Sequence, residues 1–212
     1  MAEKGMIEAI RKAIETSRER NFEESVEIAV NLKDLDLSIP KNRIEEEILL
    51  PKGRGKEIKV AVFATGELAV KARGAAEMIF GPEDIEELAE DKRRARKIAE
   101  AVDFFLAEAP LMPTIGKRLG IVLATRGKMP KPIPPGADPR PVIESMKRTV
   151  RVRTKDRRTF HAPVGTKSMS PEDLADNVDE IMKRLVARLE RGKDNIESAY
   201  VKTTMGPAVK IM

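Results

Sequence analysis

The 212-residue chain has no cysteine, tryptophan or glutamine, and only one histidine. Without cysteine, neither disulfide staples nor thiolate metal sites are available. The one histidine, His161, lies in a strand context with no cysteine to pair with. A lone histidine is more often a structural or surface residue than a catalyst. No metal-ligating cluster accompanies it, so neither a catalytic residue, a metal nor a cofactor is expected. Aromatic residues make up only 3% of the chain, which argues against stacking platforms for single-stranded nucleic acid. Helix–turn–helix and zinc-finger spacings are also missing, which argues against reading of the DNA major groove. No segment approaches the roughly 20 apolar residues that span a bilayer. The opening MAEKGMIEAIRKAI has acidic residues and no apolar run of signal-peptide length, so a soluble intracellular protein without a membrane partner is expected.

Charge is what the chain has in abundance. Charged residues make up 35%, with 40 basic against 35 acidic for a net +5, so only their distribution carries information. Scarce thermolabile side chains and abundant Glu, Lys and Arg suit a hot-living source. Apolar content of 41% over this length allows one or two domains with a proper core.

Residues 3–19 carry apolar positions at helical spacing, and SVEIAVNL at 25–32 alternates as a half-buried strand. A second strand is expected at 44–50, stopped by Pro51-Lys52-Gly53-Arg54-Gly55-Lys56. The style then changes. A denser apolar strand at 58–64 precedes a helix from 67 to about 78, a charged helix at 84–99 and a strand at 102–106. Residues 114–123 read equally as helix or strand, 126–141 as loop, and 142–147 as a short helix. Alternating strands and helices indicate a small parallel α/β layer. Half-buried strands return at 150–153 and 160–164. Ser170 and Pro171 then open a long helix to about 191, and 195–204 with 207–211 form a hairpin. The first 50 residues are too few to fold alone. The expectation is therefore a two-domain α/β protein: a discontinuous α+β domain of 1–57 with 150–212, and an α/β domain of 58–149 inserted in it.

Enzyme-like motifs are poor. Gly53-Arg54-Gly55-Lys56 lacks the frame of a phosphate loop, and Thr65-Gly66-Glu67 offers one glycine where a dinucleotide site needs three. A small α/β nucleotide-binding module or enzyme in the middle domain is the alternative reading, and a chromatin-like DNA binder a third. Basic residues, in contrast, cluster. Residues 147–158 hold seven Lys or Arg against one Asp, and 117–131 hold five with no acid. Such windows attract phosphate, and structured RNA, recognised by shape, phosphate and 2′-hydroxyl, suits this residue set.

The segments FEESVEIAVNLKDLD (22–36), ILLPKGRGK (48–56), LMPTIGKRLGIVLATRGKMPKP (111–132), HAPVG (161–165), EDLADN (172–177) and YVKTTMGPAVKI (200–211) stand in this order along the chain. Together they resemble one family, the L-one family of large-subunit ribosomal proteins in its archaeal form. The resemblance implies an rRNA-binding domain made from both termini and an inserted Rossmann-like, three-layer α/β domain. It implies a ribosome-bound cytoplasmic protein, monomeric off the ribosome, with large-subunit rRNA, its own mRNA and exit-site tRNA as partners. It also implies release of deacylated tRNA and repression of its own translation. The residues it assigns to RNA are Phe22, Ser25, Glu27, Asp156, Arg157, His161, Ser198, Thr204, Met205 and Gly206. Arg126, Lys128 and Lys131 are candidate tRNA or rRNA contacts in the middle domain. On this reading Met205 faces ribose rather than core, Gly206 lets backbone approach the sugar, and hydroxyls meet 2′-hydroxyls. At the family's LPHG stands Leu50-Pro51-Lys52-Gly53, which adds a positive charge.

Overall fold

The computed structural model describes residues 4–154 and 157–212. In chain order they form helix α1 (Lys4–Glu15), strands β1 (Ser25–Leu32), β2 (Glu45–Leu49) and β3 (Val60–Phe63), helix α2 (Gly66–Ala72) and strand β4 (Met78–Phe80). Helices α3 (Pro82–Glu90) and α4 (Lys92–Ala101), strand β5 (Phe104–Glu108), helices α5 (Met112–Arg118) and α6 (Gly120–Thr125) and strand β6 (Lys131–Ile133) follow. Then come α7 (Pro139–Lys147), β7 (Thr149–Arg153), β8 (Thr159–Thr166), α8 (Pro171–Arg188), β9 (Ile196–Thr203) and β10 (Val209–Lys210). The fold is mixed α/β, and two compact units are present: Met1–Lys56 with Arg148–Met212, and Glu57–Lys147.

In the split unit, an antiparallel sheet of order β10-β9-β1-β8 is built on β1. Its alternation sends Val26, Ile28, Val30 and Leu32 inward, while Ser25, Glu27, Ala29 and Asn31 stay half-exposed. Helix α8 covers the inner face with Leu174, Val178, Ile181, Met182 and Leu185, spaced as one helical stripe. Each is worth roughly 1.5–3 kcal/mol when fully buried. Ser170 caps α8, its Oγ accepting the Asp173 N–H at 3.1 Å, with Pro171 at the first turn. One polar residue interrupts the stripe. Asn177 is fully buried, accepts the Lys52 N–H at 3.0 Å and donates to the Gly53 and Val164 carbonyls at 2.8 Å each. It thereby ties the 51–53 turn to the sheet. A two-stranded antiparallel pair of β2 and β7 completes the unit, with Leu49 opposite Thr149.

The other unit is a parallel sheet of order β4-β3-β5-β6 with apolar clusters on both faces. All four residues of β3 are buried, as a strand covered on two sides requires. One face packs on α3 to α6 and includes Phe63 beside Phe80 and Phe105, with ring centroids 5.3 and 5.8 Å away. The other packs on α2 and α7 through Leu68, Ala72, Ile143 and Met146. Three local expectations are corrected here. The charged helix at 84–99 is two helices, because Asp91 leaves helical geometry and its carboxylate accepts the Arg93 and Arg94 N–H groups at 3.0 Å. The helix after Gly66 stops at Ala72, and Met78 starts a strand instead. Within the expected 126–141 loop, Lys131–Ile133 pairs with β5.

Candidate nucleic-acid interface

The β9–β10 connection is held rather than floppy. The Thr204 N–H donates to the Ser25 carbonyl at 3.0 Å, and its Oγ1 accepts the Ser25 N–H at 3.1 Å while donating to that carbonyl at 3.2 Å. The Met205 N–H donates to Glu24 Oε1 at 3.0 Å and the Gly206 N–H to the Thr203 carbonyl at 3.2 Å. Lys202 Nζ donates to the Thr204 carbonyl at 2.9 Å. A Cβ on Gly206 would lie 2.3 Å from Thr203 Oγ1, so protein packing by itself demands glycine there. With the backbone pinned, the Met205 side chain points outward and is 61% exposed. Phe22, two residues before Glu24, is 53% exposed. Two large apolar side chains thus stand in solvent, one on the hydroxyl-bearing turn and one just ahead of the glutamate that holds it.

The outward face of the sheet continues from this tip. Register places Glu27 opposite Lys202 and Pro163, Ala29 opposite Tyr200 and His161, and Asn31 opposite Ser198 and Thr159. Side chains directly opposite share a face. Ser25, Glu27, His161, Ser198 and Thr204 therefore lie on or beside one face of the sheet, with His161 exposed and Ser198 buried. Asn31 Nδ2 donates to Ser198 Oγ at 2.9 Å, and Thr159 Oγ1 donates to Asn31 Oδ1 at 2.7 Å. Asn31, Thr159, Tyr200 and Lys202 were not singled out from sequence, although strand alternation puts each beside a residue that was. Arg157 is exposed at the turn into β8, and Asp156 lies outside the described residues.

Much of the basic density is already matched inside the protein. In the 147–158 window Arg151 and Arg153 both pair with Glu45, the latter at 3.3 Å, and Arg158 Nε donates to the Leu35 carbonyl at 3.1 Å. The Arg151 hydrogen bond, with both arginine charges, holds the Glu45 carboxyl below the usual range. Lys52 sits 3.0 Å from Asp173 and 3.9 Å from Asp176, which offsets its added charge. In the other unit Lys128 Nζ donates to the Ala99 and Val102 carbonyls at 2.9 and 2.7 Å, closing the C-terminus of α4. Arg126 pairs with Glu100 at 2.8 Å. Lys131 lies on β6, half-exposed.

A cavity of about 220 Å³ opens where the sheet order reverses, beyond the ends of β3 and β5. Open α/β sheets bind ligands at such a place. Its charged lining is Glu67, Lys71 and Glu108; Lys71 pairs with Glu67 at 2.8 Å, and Glu108 accepts Thr65 N–H and hydroxyl at 3.0 and 2.6 Å. Two carboxylates and one paired cation make a poor phosphate pocket. Among the described residues no acidic or histidine group could hold a metal ion, and no helix is long and apolar enough to cross a membrane.

A model of the ribosomal protein L1p/L10e family matches residues 12–207. That is a family of ribosomal, RNA-binding proteins and not of enzymes. The chain is 57% identical over 213 residues to the large ribosomal subunit protein uL1 of Methanocella arvoryzae, covering all of both chains. It is 57% identical over 203 residues to the protein of that name from Thermoplasma acidophilum, covering 96% of this chain and 94% of that one. Against the Archaeoglobus fulgidus protein of the same name identity is 49% over 208 residues, 98% and 97% of the two chains. The chain belongs to the ribosomal protein L1p/L10e family.

Proposed function

We propose that the chain is a cytoplasmic, large-subunit ribosomal protein in which residues 1–57 with 150–212 form the rRNA-binding domain and 58–149 an inserted Rossmann-like domain. It binds structured large-subunit rRNA through Phe22, Ser25, Glu27, Asp156, Arg157, His161, Ser198, Thr204, Met205 and Gly206. On the ribosome it assists release of deacylated tRNA from the exit site. Off the ribosome it is a monomer that represses its own translation by binding a similar structure in its mRNA.

The observation that carries this reading is the exposure of Met205, and of Phe22 two residues ahead of Glu24, at a turn whose Thr204, Met205 and Gly206 N–H groups are all bonded. A pinned backbone with solvent-facing apolar side chains lowers the ordering cost of binding. Hydroxyls and apolar contact suit ribose, and Arg157 adds a phosphate contact. In the inserted domain Arg126, Lys128 and Lys131 are the candidate contacts for tRNA or rRNA, and Arg126 and Lys128 also serve internal contacts.

The test is filter binding of the full chain to in vitro transcribed large-subunit rRNA and to its own mRNA, with duplex DNA as competitor at fixed salt. Affinity for both RNAs should fall steeply with salt, with DNA competing weakly. Equal competition by DNA would sink the reading. Protection by nucleotides in thermal melts without RNA binding would favour the nucleotide-binding alternative.

A further inference from the structure

We propose that Glu24 is a positioning residue for RNA: its buried carboxylate holds the Thr203–Gly206 turn in the shape that meets the ligand. The assignment rests on the rRNA-binding reading above. Glu24 is 2% exposed. Its Oε1 accepts the Met205 N–H at 3.0 Å and the Thr203 hydroxyl at 3.4 Å, and its Oε2 accepts the Ser17 hydroxyl. Lys167 Nζ donates to the Ser17 carbonyl and hydroxyl, each at 3.3 Å. One carboxylate therefore joins the end of the first helix, the start of β1 and the turn. The next residue, Ser25, grips Thr204 by its backbone. Consecutive residues 24 and 25 thus hold consecutive residues 205 and 204.

The sign of the charge argues for geometry over attraction. A carboxylate beneath an RNA-contacting turn repels phosphate, so a residue kept for affinity alone would be neutral or basic. An ionised carboxylate is acceptor-only, and here its three partners are all donors. A proton or an amide nitrogen turns one of the two acceptor sites into a donor: facing Met205 it opposes the N–H, and facing Ser17 it meets a hydroxyl that already accepts from Lys167.

The charged groups facing this network are Lys167 after β8 and Lys202 at the end of β9, with Arg18 and Glu23 adjacent along the chain. The Ser17 hydrogen bond, opposed by burial and supported by the Met205 N–H, the Lys167 charge and Thr203, holds the carboxyl below its ordinary range. The folded value being depressed, the ordering of the turn is complete above the ordinary carboxylate range and is lost as pH falls through the folded value.

The experiment compares the full chain with its Glu24→Gln variant on in vitro transcribed large-subunit rRNA, well below either melting temperature. Loss of a charge-assisted acceptor should weaken binding about tenfold or more, and NMR should show faster hydrogen exchange at the Met205 amide. Removing a negative charge would tighten binding if only the field mattered, so equal or tighter binding by Glu24→Gln overturns the role. Where that variant does not fold, the unmodified protein still decides. The Met205 amide shift should then follow the Glu24 carboxyl in an acid titration, and an amide that ignores it overturns the role. An unmodified chain that fails to bind rRNA overturns the binding reading itself, and the role with it.

Discussion

Met205 and Lys128 make opposite use of their chemistry. In the split unit an apolar side chain that could serve a core stands 61% exposed on a turn fixed by Glu24 and Ser25. In the inserted unit a lysine from a purely basic window donates to two carbonyls at the end of α4, and its neighbour Arg126 answers Glu100. Basic density along a sequence is therefore an incomplete guide to a nucleic-acid surface. The better guide is which side chains remain available once the protein's own polar groups have been satisfied.

The largest effect that would test this contrast belongs to neither surface. Asn177→Ala removes the partner of one buried N–H and two carbonyls, and should cost about 3–5 kcal/mol in urea unfolding. A loss below about 1 kcal/mol would mean that water replaces the side chain. Next, Met205→Ala should weaken rRNA binding by about 1–2 kcal/mol with the melting temperature unchanged, because the side chain contacts solvent in the free protein. Should the melt fall instead, Met205 would belong to the core. Thr204→Val should differ from it by lowering both rRNA affinity and stability, each by about 1–2 kcal/mol, since its hydroxyl already serves Ser25.

Lys128→Ala is the mirror image of Met205→Ala. It should destabilise the inserted unit by about 1 kcal/mol, as loss of a cation at a helix C-terminus does, and leave rRNA affinity alone. A fall in affinity without a fall in stability would erase the contrast. Smallest is Arg157→Ala, which should reduce the slope of log affinity against log salt by about one unit; an unchanged slope would mean that Arg157 touches no phosphate.

How far all this was legible depends on the range of the physics involved. Period-two alternation in SVEIAVNL and the capped stripe of α8 are local patterns, and both elements formed where those patterns stood. Strand β4 is only three residues long and follows a helical stretch, so no periodic signal separated it. The break at Asp91 needed capping geometry that a charged helical run conceals. The work of Lys128 joins groups 26 and 29 residues away, and that of Thr204 joins groups 179 residues apart. No window of sequence contains either. Glu24 is the intermediate case. Two steps back from Val26 along the same alternation, it falls in the inward phase. A charge there was visible in the sequence, but its partners at 203 and 205 were not.

The wiring of residues 24 and 25 to residues 204 and 205 also sets a clock on synthesis. Ser25 and the Thr204 that it grips leave the translating ribosome 179 residues apart. At about 5–20 residues per second, that is roughly 10–40 seconds. Until Gly206 has emerged, a growing chain holds Glu24 and Ser25 with nothing to grip. If the protein silences its own message, a half-made copy cannot do so, and the feedback counts only chains translated through that turn.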